Sequence, residues 1–332
     1  MSSKIKVSII GVTGFTGMEL LRCLLQHNHV ELKYLVSRQH EGTPLATLFP
    51  RLAHIGGDYK ITNTDHDTVA KESDVVFLCL PHKAAQEVAP TFLGKTKLID
   101  FSADFRLNDV ETYERYYKIP HQHKDLLNGR FVYGLPEIYR DEIASADAVA
   151  NPGCFALLVQ LLLLPFKDKM SGADVIAISG TSGGGRSARD PVDHPALAQN
   201  IRSYLVNEHR HVPEILATSG LAEEQLNFAP TVGPFLRGIF ANGFIHSDAE
   251  PNLDVFKGHP FVRIVDKVEL TNVVSTNFID LNYTQGHNGQ IIAQGALDNL
   301  LRGASGTAIQ NMNIMFCLNE TEGLNFNTPF YP

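Results

Sequence analysis

The sequence is poor in cysteine, poor in charge and without a long apolar run, and each shortage excludes something. Its four cysteines, at positions 23, 79, 154 and 317, form no closely spaced pair. That excludes a disulfide framework and a zinc ribbon, and it fits a reducing compartment, the cytoplasm being the simplest. The longest apolar run, Phe155–Leu164, is interrupted by Gln160 and stopped by Pro165. It falls short of the ~20 residues that a membrane-spanning helix needs. The opening Met-Ser-Ser-Lys-Ile-Lys-Val lacks the apolar stretch of a secretory signal. Positive charge is also short: 28 Lys and Arg face 36 Asp and Glu, a net charge of −8. A nucleic-acid backbone or an anionic membrane is therefore excluded as the main partner. No internal repeat or low-complexity tract is present.

What is present is apolar material for sizeable cores, 44% of 332 residues. At about 150 residues per domain this is length enough for two. Lys6–Ile10, Val30–Val36, Asp74–Leu80, Lys97–Phe101 and Ala148–Ala150 read as strands, with helical patterns at Met18–Leu25 and Ala84–Val88 between them. Strands alternating with helices predict an α/β domain with a parallel sheet. Beyond Pro165 the texture changes. Strand patterns at Asp174–Ser179, Gly238–His246, Phe261–Ile264 and Thr276–Tyr283 carry few crossover helices between them. They predict a second domain with a mixed sheet, and a domain boundary near residue 151. The stretch from Ile291 to Asn311 reads as strand passing into helix.

Gly11-Val12-Thr13-Gly14-Phe15-Thr16-Gly17 follows the first strand and opens the first helix. Glycines there permit a tight turn and let the backbone approach a pyrophosphate, which the helix N-terminus then faces. A dinucleotide-binding turn is expected, with a purely structural turn as the bland reading. The second strand ends in Ser37 and Arg38, where NAD-preferring sites usually carry an acid. A hydroxyl and a guanidinium suit a 2′-phosphate, so NADP is the expected cofactor. The competing reading makes Arg38 a solvated surface cation and Glu41 the ribose ligand.

Cys154 stands in Asn151-Pro-Gly-Cys154, directly before the apolar helical run. A helix N-terminus favours a thiolate, and a thiolate is a good nucleophile towards carbonyl carbon. Position alone leaves a nucleophile and a structural thiol both open. Cys23, Cys79 and Cys317 have apolar neighbours and are expected in cores. Asn207-Glu-His209-Arg-His211 supplies two candidate acid–base partners. The same spacing suits a metal ion, but no third ligand is suggested and no metal is expected. Gly180-Thr-Ser182-Gly183-Gly184-Gly-Arg186 follows a strand, and its backbone amides could hold a phosphate or a cofactor ring. Ser102 and Arg106 follow the fourth strand, where open α/β sheets bind ligands. With Arg186 and Arg237 they form the pool of substrate ligands.

Together these segments resemble the N-acetyl-gamma-glutamyl-phosphate reductase family of arginine biosynthesis. The likeness also runs through Tyr133-Gly-Leu-Pro-Glu137, His209-Arg-His-Val-Pro-Glu-Ile215, Arg237-Gly-Ile239 and Asp298-Asn-Leu-Leu-Arg-Gly-Ala-Ser305, so it spans nearly the whole chain. It implies a Rossmann dinucleotide-binding domain, residues 1–153, and an α+β catalytic and oligomerisation domain, residues 154–303, of the glyceraldehyde-3-phosphate dehydrogenase-like type. It also implies a C-terminal segment, about 304–332, whose helix packs back on the first domain. The family's nucleophile falls on Cys154. Its histidine falls within the His-x-His pair, with His209 favoured and His211 the fallback. The implied activity is NADPH-dependent reduction of N-acetyl-glutamyl 5-phosphate by a homodimer or homotetramer. Phe155, Gly184 and Leu236 depart from the family's usual residues, and none of these departures removes a reactive group. The alternatives are a reductase of aspartyl or carrier-linked aminoadipyl phosphate, and a non-catalytic NADP-sensing protein.

Overall fold

Short segments rich in Val, Ile and Leu build the first sheet of this computed structural model, which describes residues 3–185 and 197–324. Strands β1 (Ile5–Ile10), β2 (Val30–Val36), β3 (Val75–Leu78), β4 (Lys97–Asp100), β5 (Val132–Tyr133) and β6 (Ala148–Ala150) lie in the order β2-β1-β3-β4-β6-β5. Every pairing is parallel. All residues of β3 and β6 are buried, as expected of strands covered on both faces. Helix α1 (Phe15–Leu24) follows β1, and α2 (Pro136–Ser145) precedes β6. The two-residue β5 carries too little pattern to be read from sequence; its register opposite Val149 and Ala150 is a tertiary outcome.

Of the described residues, 3–113, 119–151 and 305–324 form one compact unit, and 114–118, 152–185 and 197–304 form the other. The stretch Glu114–Lys118 groups with the second unit although it lies within residues 1–153.

The second unit is built on α3 (Cys154–Leu163) and a seven-stranded mixed sheet. Its strands are β7 (Gly172–Ser179), β8 (Arg202–Ser203), β9 (Leu226–Val232), β10 (Ile239–His246), β11 (Val262–Ile264), β12 (Ile279–Gln285) and β13 (Ile291–Leu297). Their order is β11-β12-β13-β10-β7-β9-β8. Helix α4 (Val212–Ser219) precedes β9. Nine of the ten residues of α3 are buried, so this helix is apolar all round and lies at the centre of its unit. Each large apolar side chain so buried contributes about 1.5–3 kcal/mol. The Tyr283 hydroxyl of β12 donates to the Leu162 carbonyl at 3.2 Å, satisfying one of the unpaired carbonyls at the helix end.

Strand β9 was hidden by Pro230, which argues against a strand in sequence. The structure shows how it is tolerated. The Pro230 carbonyl accepts from the Tyr204 amide at 3.0 Å, so the side of Pro230 that lacks an N–H faces the short edge strand β8. The opposite side pairs with β7 throughout.

Helix α5 (Gly306–Met315) belongs to the first unit, and all ten of its residues are buried. Several of its polar side chains are hydrogen-bonded within the unit. Asn311 Nδ2 donates to the Gly134 carbonyl at 2.9 Å, and Gln310 Nε2 to Glu320 Oε2 at 2.9 Å. Ser305 Oγ donates to the Thr16 carbonyl at 2.8 Å, tying the start of α5 to the glycine turn. The expectation for Cys317 is corrected. It lies two residues past α5 at φ 55° and is exposed, because the chain turns outward at the helix end.

Candidate active site

The three glycines of the turn after β1 have different duties. Gly11 has φ 87°, and a Cβ there would stand 2.3 Å from the Cys79 carbonyl oxygen. A Cβ on Gly17 would stand 2.5 Å from the Gly11 carbonyl, so the turn closes only on hydrogen. A Cβ on Gly14 would meet nothing nearer than the Gly11 carbonyl, at 3.7 Å. Gly14 thus fronts an open cradle that a side chain would partly fill, and it is the N-cap of α1, whose first turn holds no acid. A pyrophosphate fits this arrangement of open backbone and uncompensated helix dipole. Thr13, Phe15 and Thr16 are half-buried around the turn. At the end of β2 Ser37 is half-buried, while Arg38 and Glu41 are exposed. Cys79 is buried beneath the turn and hydrogen-bonded with the Thr16 side chain; burial pushes its thiol far up, as fits a structural cysteine.

In the second unit Cys154 is the first residue of α3 and is half-buried, with Gly153 as N-cap. The Gly153 amide donates to Glu214 Oε2 at 3.0 Å. Gln160 Nε2 donates to the Glu214 carbonyl at 2.6 Å. Glu214 lies in the first turn of α4, and His211 is the N-cap of that helix. The two histidines and the start of α3 are thereby brought together. Phe155 sets its ring edge-on to both His209 and His211, at centroid distances of 5.6 and 6.1 Å. The histidine rings lie 4.6 Å apart and nearly perpendicular. The His211 amide donates to His209 Nδ1 at 3.1 Å. Burial, helped by the Arg210 charge, pushes His209 down to about 3, so its ring is neutral. With Nδ1 accepting, that neutral ring carries its proton on Nε2. Against Cys154, Gly303 leaves no room for a side chain: a Cβ there would stand 2.7 Å from the Cys154 Cβ.

Tyr204 joins this group, and no motif in the sequence marks it. Its ring lies 5.6 Å from that of His209. Its phenol is pushed up to about 12, by burial first and then by the neighbouring Cys154. Glu214 was within a quoted motif but was not singled out; its near-complete burial is the signal that only a structure supplies.

Two of the expected ligand groups are engaged by partners within the protein. The amides of Gly180, Thr181, Ser182 and Gly183 donate to the carbonyls of Gly238, Phe235, Leu236 and Gly180. Three of them tie the turn to the 235–238 segment and the fourth closes it, so these amides are already engaged. Ser182 Oγ is also engaged, accepting from Asn299 Nδ2 at 3.0 Å. Ser102 is buried; it donates to Asp100 Oδ2 at 2.6 Å and accepts from the Asp104 amide at 3.0 Å, which organises the loop after β4. Burial raises the carboxyl of Asp100 to about 7. Arg106 is half-buried and donates to the Phe101 carbonyl at 2.8 Å. Arg237 donates through Nε to Asp298 Oδ2 at 2.5 Å, and the fully buried Asp298 also accepts the Ser275, Leu300 and Leu301 amides. Arg186 lies outside the described residues. Among the described residues no group of three His, Cys, Asp or Glu side chains could hold a metal ion, and no helix is long and apolar enough to cross a membrane.

Both units carry the sequence of a semialdehyde dehydrogenase. Residues 6–146 match the semialdehyde dehydrogenase NAD binding domain, and residues 154–299 match the semialdehyde dehydrogenase dimerisation domain. The fold is that of aspartate semialdehyde dehydrogenase II from Vibrio cholerae, with a TM-score of 0.71 at 16% identity over 95% of this chain and 99% of that one. Relatives named N-acetyl-gamma-glutamyl-phosphate reductase are much nearer in sequence. One from Methanopyrus kandleri is 38% identical over 96% of this chain and 97% of its own, and one from Geobacter sp. is 40% identical over 99% and 100%. A relative from Pyrococcus furiosus, 38% identical over 99% of both chains, is provisionally named a LysW-L-2-aminoadipate/LysW-L-glutamate phosphate reductase. The chain belongs to the N-acetyl-gamma-glutamyl-phosphate reductase family. It is an oxidoreductase that uses a nicotinamide dinucleotide, and its second unit is of the dimerisation type.

Proposed function

We propose that this protein reduces N-acetyl-L-glutamyl 5-phosphate to N-acetyl-L-glutamate 5-semialdehyde with release of phosphate, as a cytoplasmic step of arginine biosynthesis. The carrying observation is Cys154, half-buried as the first residue of a buried helix whose N-cap Gly153 is bonded to Glu214 and whose Phe155 packs on the His209–His211 pair. The Cys154 thiolate, at the positive end of the α3 dipole, attacks the acyl carbon. The bond from that carbon to the phosphate oxygen breaks, phosphate leaves, and a thioester to Cys154 remains. When bound, the dinucleotide supplies the hydride that takes the acyl carbon to the aldehyde level. Collapse of the thiohemiacetal oxyanion breaks the carbon–sulfur bond and returns the thiolate. His209, neutral and carrying its proton on Nε2, is the donor to the substrate oxygen, with His211 orienting it through the 3.1 Å amide bond. Arg106 and Arg237 are the anion ligands of the described residues. Ser37 and Arg38 support NADP as the dinucleotide.

A second reading, a carrier-linked acyl phosphate, rests on the Pyrococcus furiosus relative. The net charge of −8 speaks against an acidic carrier. Assay in the reverse direction with candidate semialdehydes, phosphate and NADP+ separates the two. Turnover of N-acetyl-glutamate semialdehyde is expected, and its loss in Cys154→Ser; a fully active Cys154→Ser would refute the covalent route.

A further inference from the structure

Lys83 adopts a backbone that its side chain disfavours. Its φ of 75° and ψ of −40° lie in the positive-φ region, uncommon and strained for a residue with a Cβ, and it is the third residue of a turn that the Ala84 amide closes on the Pro81 carbonyl at 3.2 Å. It ends the segment that leaves β3 beside the glycine turn. The Cys79 amide donates to the Ile10 carbonyl at 2.8 Å, and the Cys79 carbonyl and Leu80 side chain both abut Gly11. The chain then runs directly into Pro81, His82 and Lys83. This is the carboxyl edge of a parallel sheet, where ligands of open α/β folds bind.

The loop after β4 grips this segment at two points. The fully buried Asp104 accepts the Lys83 amide with both carboxylate oxygens, at 2.9 and 3.2 Å. The Ala103 amide donates to His82 Nδ1 at 3.0 Å. Asp104 is itself fixed. The Tyr113 hydroxyl donates to its Oδ1 at 2.8 Å, and Gln86 Nε2 donates to that hydroxyl at 2.7 Å. The Ser102 and Asp100 bonds described above anchor the same loop to β4. A buried carboxylate bonded to one strained amide is a costly arrangement for a surface turn with no other task.

We propose that Asp104 is a positioning residue for the nicotinamide dinucleotide, holding Lys83 in its strained form so that the Pro81–Lys83 turn completes the cofactor edge beside Gly11. The proposal rests on the assignment of Gly11–Gly17 as the dinucleotide turn. It gives the Ser102-Ala-Asp104 segment a duty towards cofactor, not substrate.

The test is a fluorescence titration of NADPH and NADH into the full-length protein and its variants, with steady-state kinetics alongside. Asp104→Asn should weaken binding of both dinucleotides about tenfold, the range that backbone strain of this kind supplies. The loss should appear in cofactor KM and not in kcat. Glycine adopts a positive φ without strain, so in a Lys83→Gly background the same Asp104→Asn change should cost no more than about twofold. An undiminished affinity in Asp104→Asn, or an equal loss in both backgrounds, overturns the proposal. Lys83→Val tests it with Asp104 intact. A β-branched residue resists this φ, so binding should again fall about tenfold, and unchanged binding overturns the proposal. A wild-type protein that binds neither dinucleotide refutes the assignment of the glycine turn itself, a separate and recognisable outcome.

Discussion

Glu214 accepts the amide hydrogen of Gly153 at 3.0 Å, and Gly153 is the residue immediately before Cys154. The start of α4 is thereby registered against the start of α3. The Glu214 carbonyl takes Gln160 Nε2 at 2.6 Å, so the two helices are joined at two points. The other carboxylate oxygen lies 4.0 Å from His211 Nε2. One buried acid therefore fixes both the turn that presents the thiol and the segment that carries the histidines.

Removing that acid should damage folding and chemistry together. Glu214→Ala leaves the buried Gly153 amide without its acceptor, which costs about 1–3 kcal/mol. Its melting temperature and its kcat should both fall, measured by thermal denaturation and by reverse-direction assay. Glu214→Gln keeps an acceptor and should lose less of each. A Glu214→Ala protein as stable and as active as the parent would show that the link has no such duty.

Gly303 should behave as a steric gate on the nucleophile. The smallest side chain there would place a Cβ 2.7 Å from that of Cys154, which is closer than packed carbon atoms stand. Relief requires the thiol or its helix to move, and misplacement of about 1 Å can cost a hundredfold in rate. Gly303→Ala is expected to fold, to lose activity by about that factor and to alkylate more slowly with iodoacetamide. Unchanged labelling with unchanged turnover would contradict it.

The legible parts of this molecule were those written in local pattern. Val7, Ile9 and Ile10 flanking Ser8 made β1 plain, and the apolar run after Cys154 made α3 plain. The glycine turn, Cys154 and the histidine pair could be singled out because each sits at a punctuation mark between periodic segments. Other features depend on partners far away in sequence. β5 has two residues, β9 contains a proline, and Tyr204 reaches His209 from a stretch without motif. Cys317 misled because its neighbours are apolar while its own backbone turns outward. The loop after β7 misled for a different reason. Its glycines imply free amides, yet the 235–238 segment that accepts them lies more than fifty residues on.

The end of β2 should decide cofactor choice. Arg38 is exposed there beside the half-buried Ser37, and Glu41 is the competing acid. Charge-assisted bonds to a 2′-phosphate are worth about 1.5–3 kcal/mol. Arg38→Ala should therefore raise the Kd for NADPH about tenfold or more while leaving that for NADH nearly unchanged. An equal effect on both cofactors would reassign Arg38 to the solvated surface, and a loss confined to Glu41→Ala would favour a ribose-binding acid.

The buried histidine should also write itself into acid stability. His209 is held at about 3 in the folded protein, mainly by burial, against an ordinary value of 6.5. Between those values the unfolded chain binds a proton that the folded chain refuses. Stability is therefore full above 6.5, falls as the pH drops, and levels off near 3. The slope is about 1.4 kcal/mol per pH unit, so roughly 2 kcal/mol is lost by pH 5. His27, which burial also shifts downward, acts in the same direction. Asp100 opposes both. Burial raises it from 3.8 to about 7, so its contribution is greatest at low pH and is lost as the pH rises through that interval. Comparison with His209→Asn cancels the shared contributions. Urea denaturation at pH 7 and pH 5 should show the variant losing about 2 kcal/mol less than the parent across that step. If both lose the same amount, His209 is not the neutral, proton-refusing ring that its place against Phe155 and the His211 amide makes it.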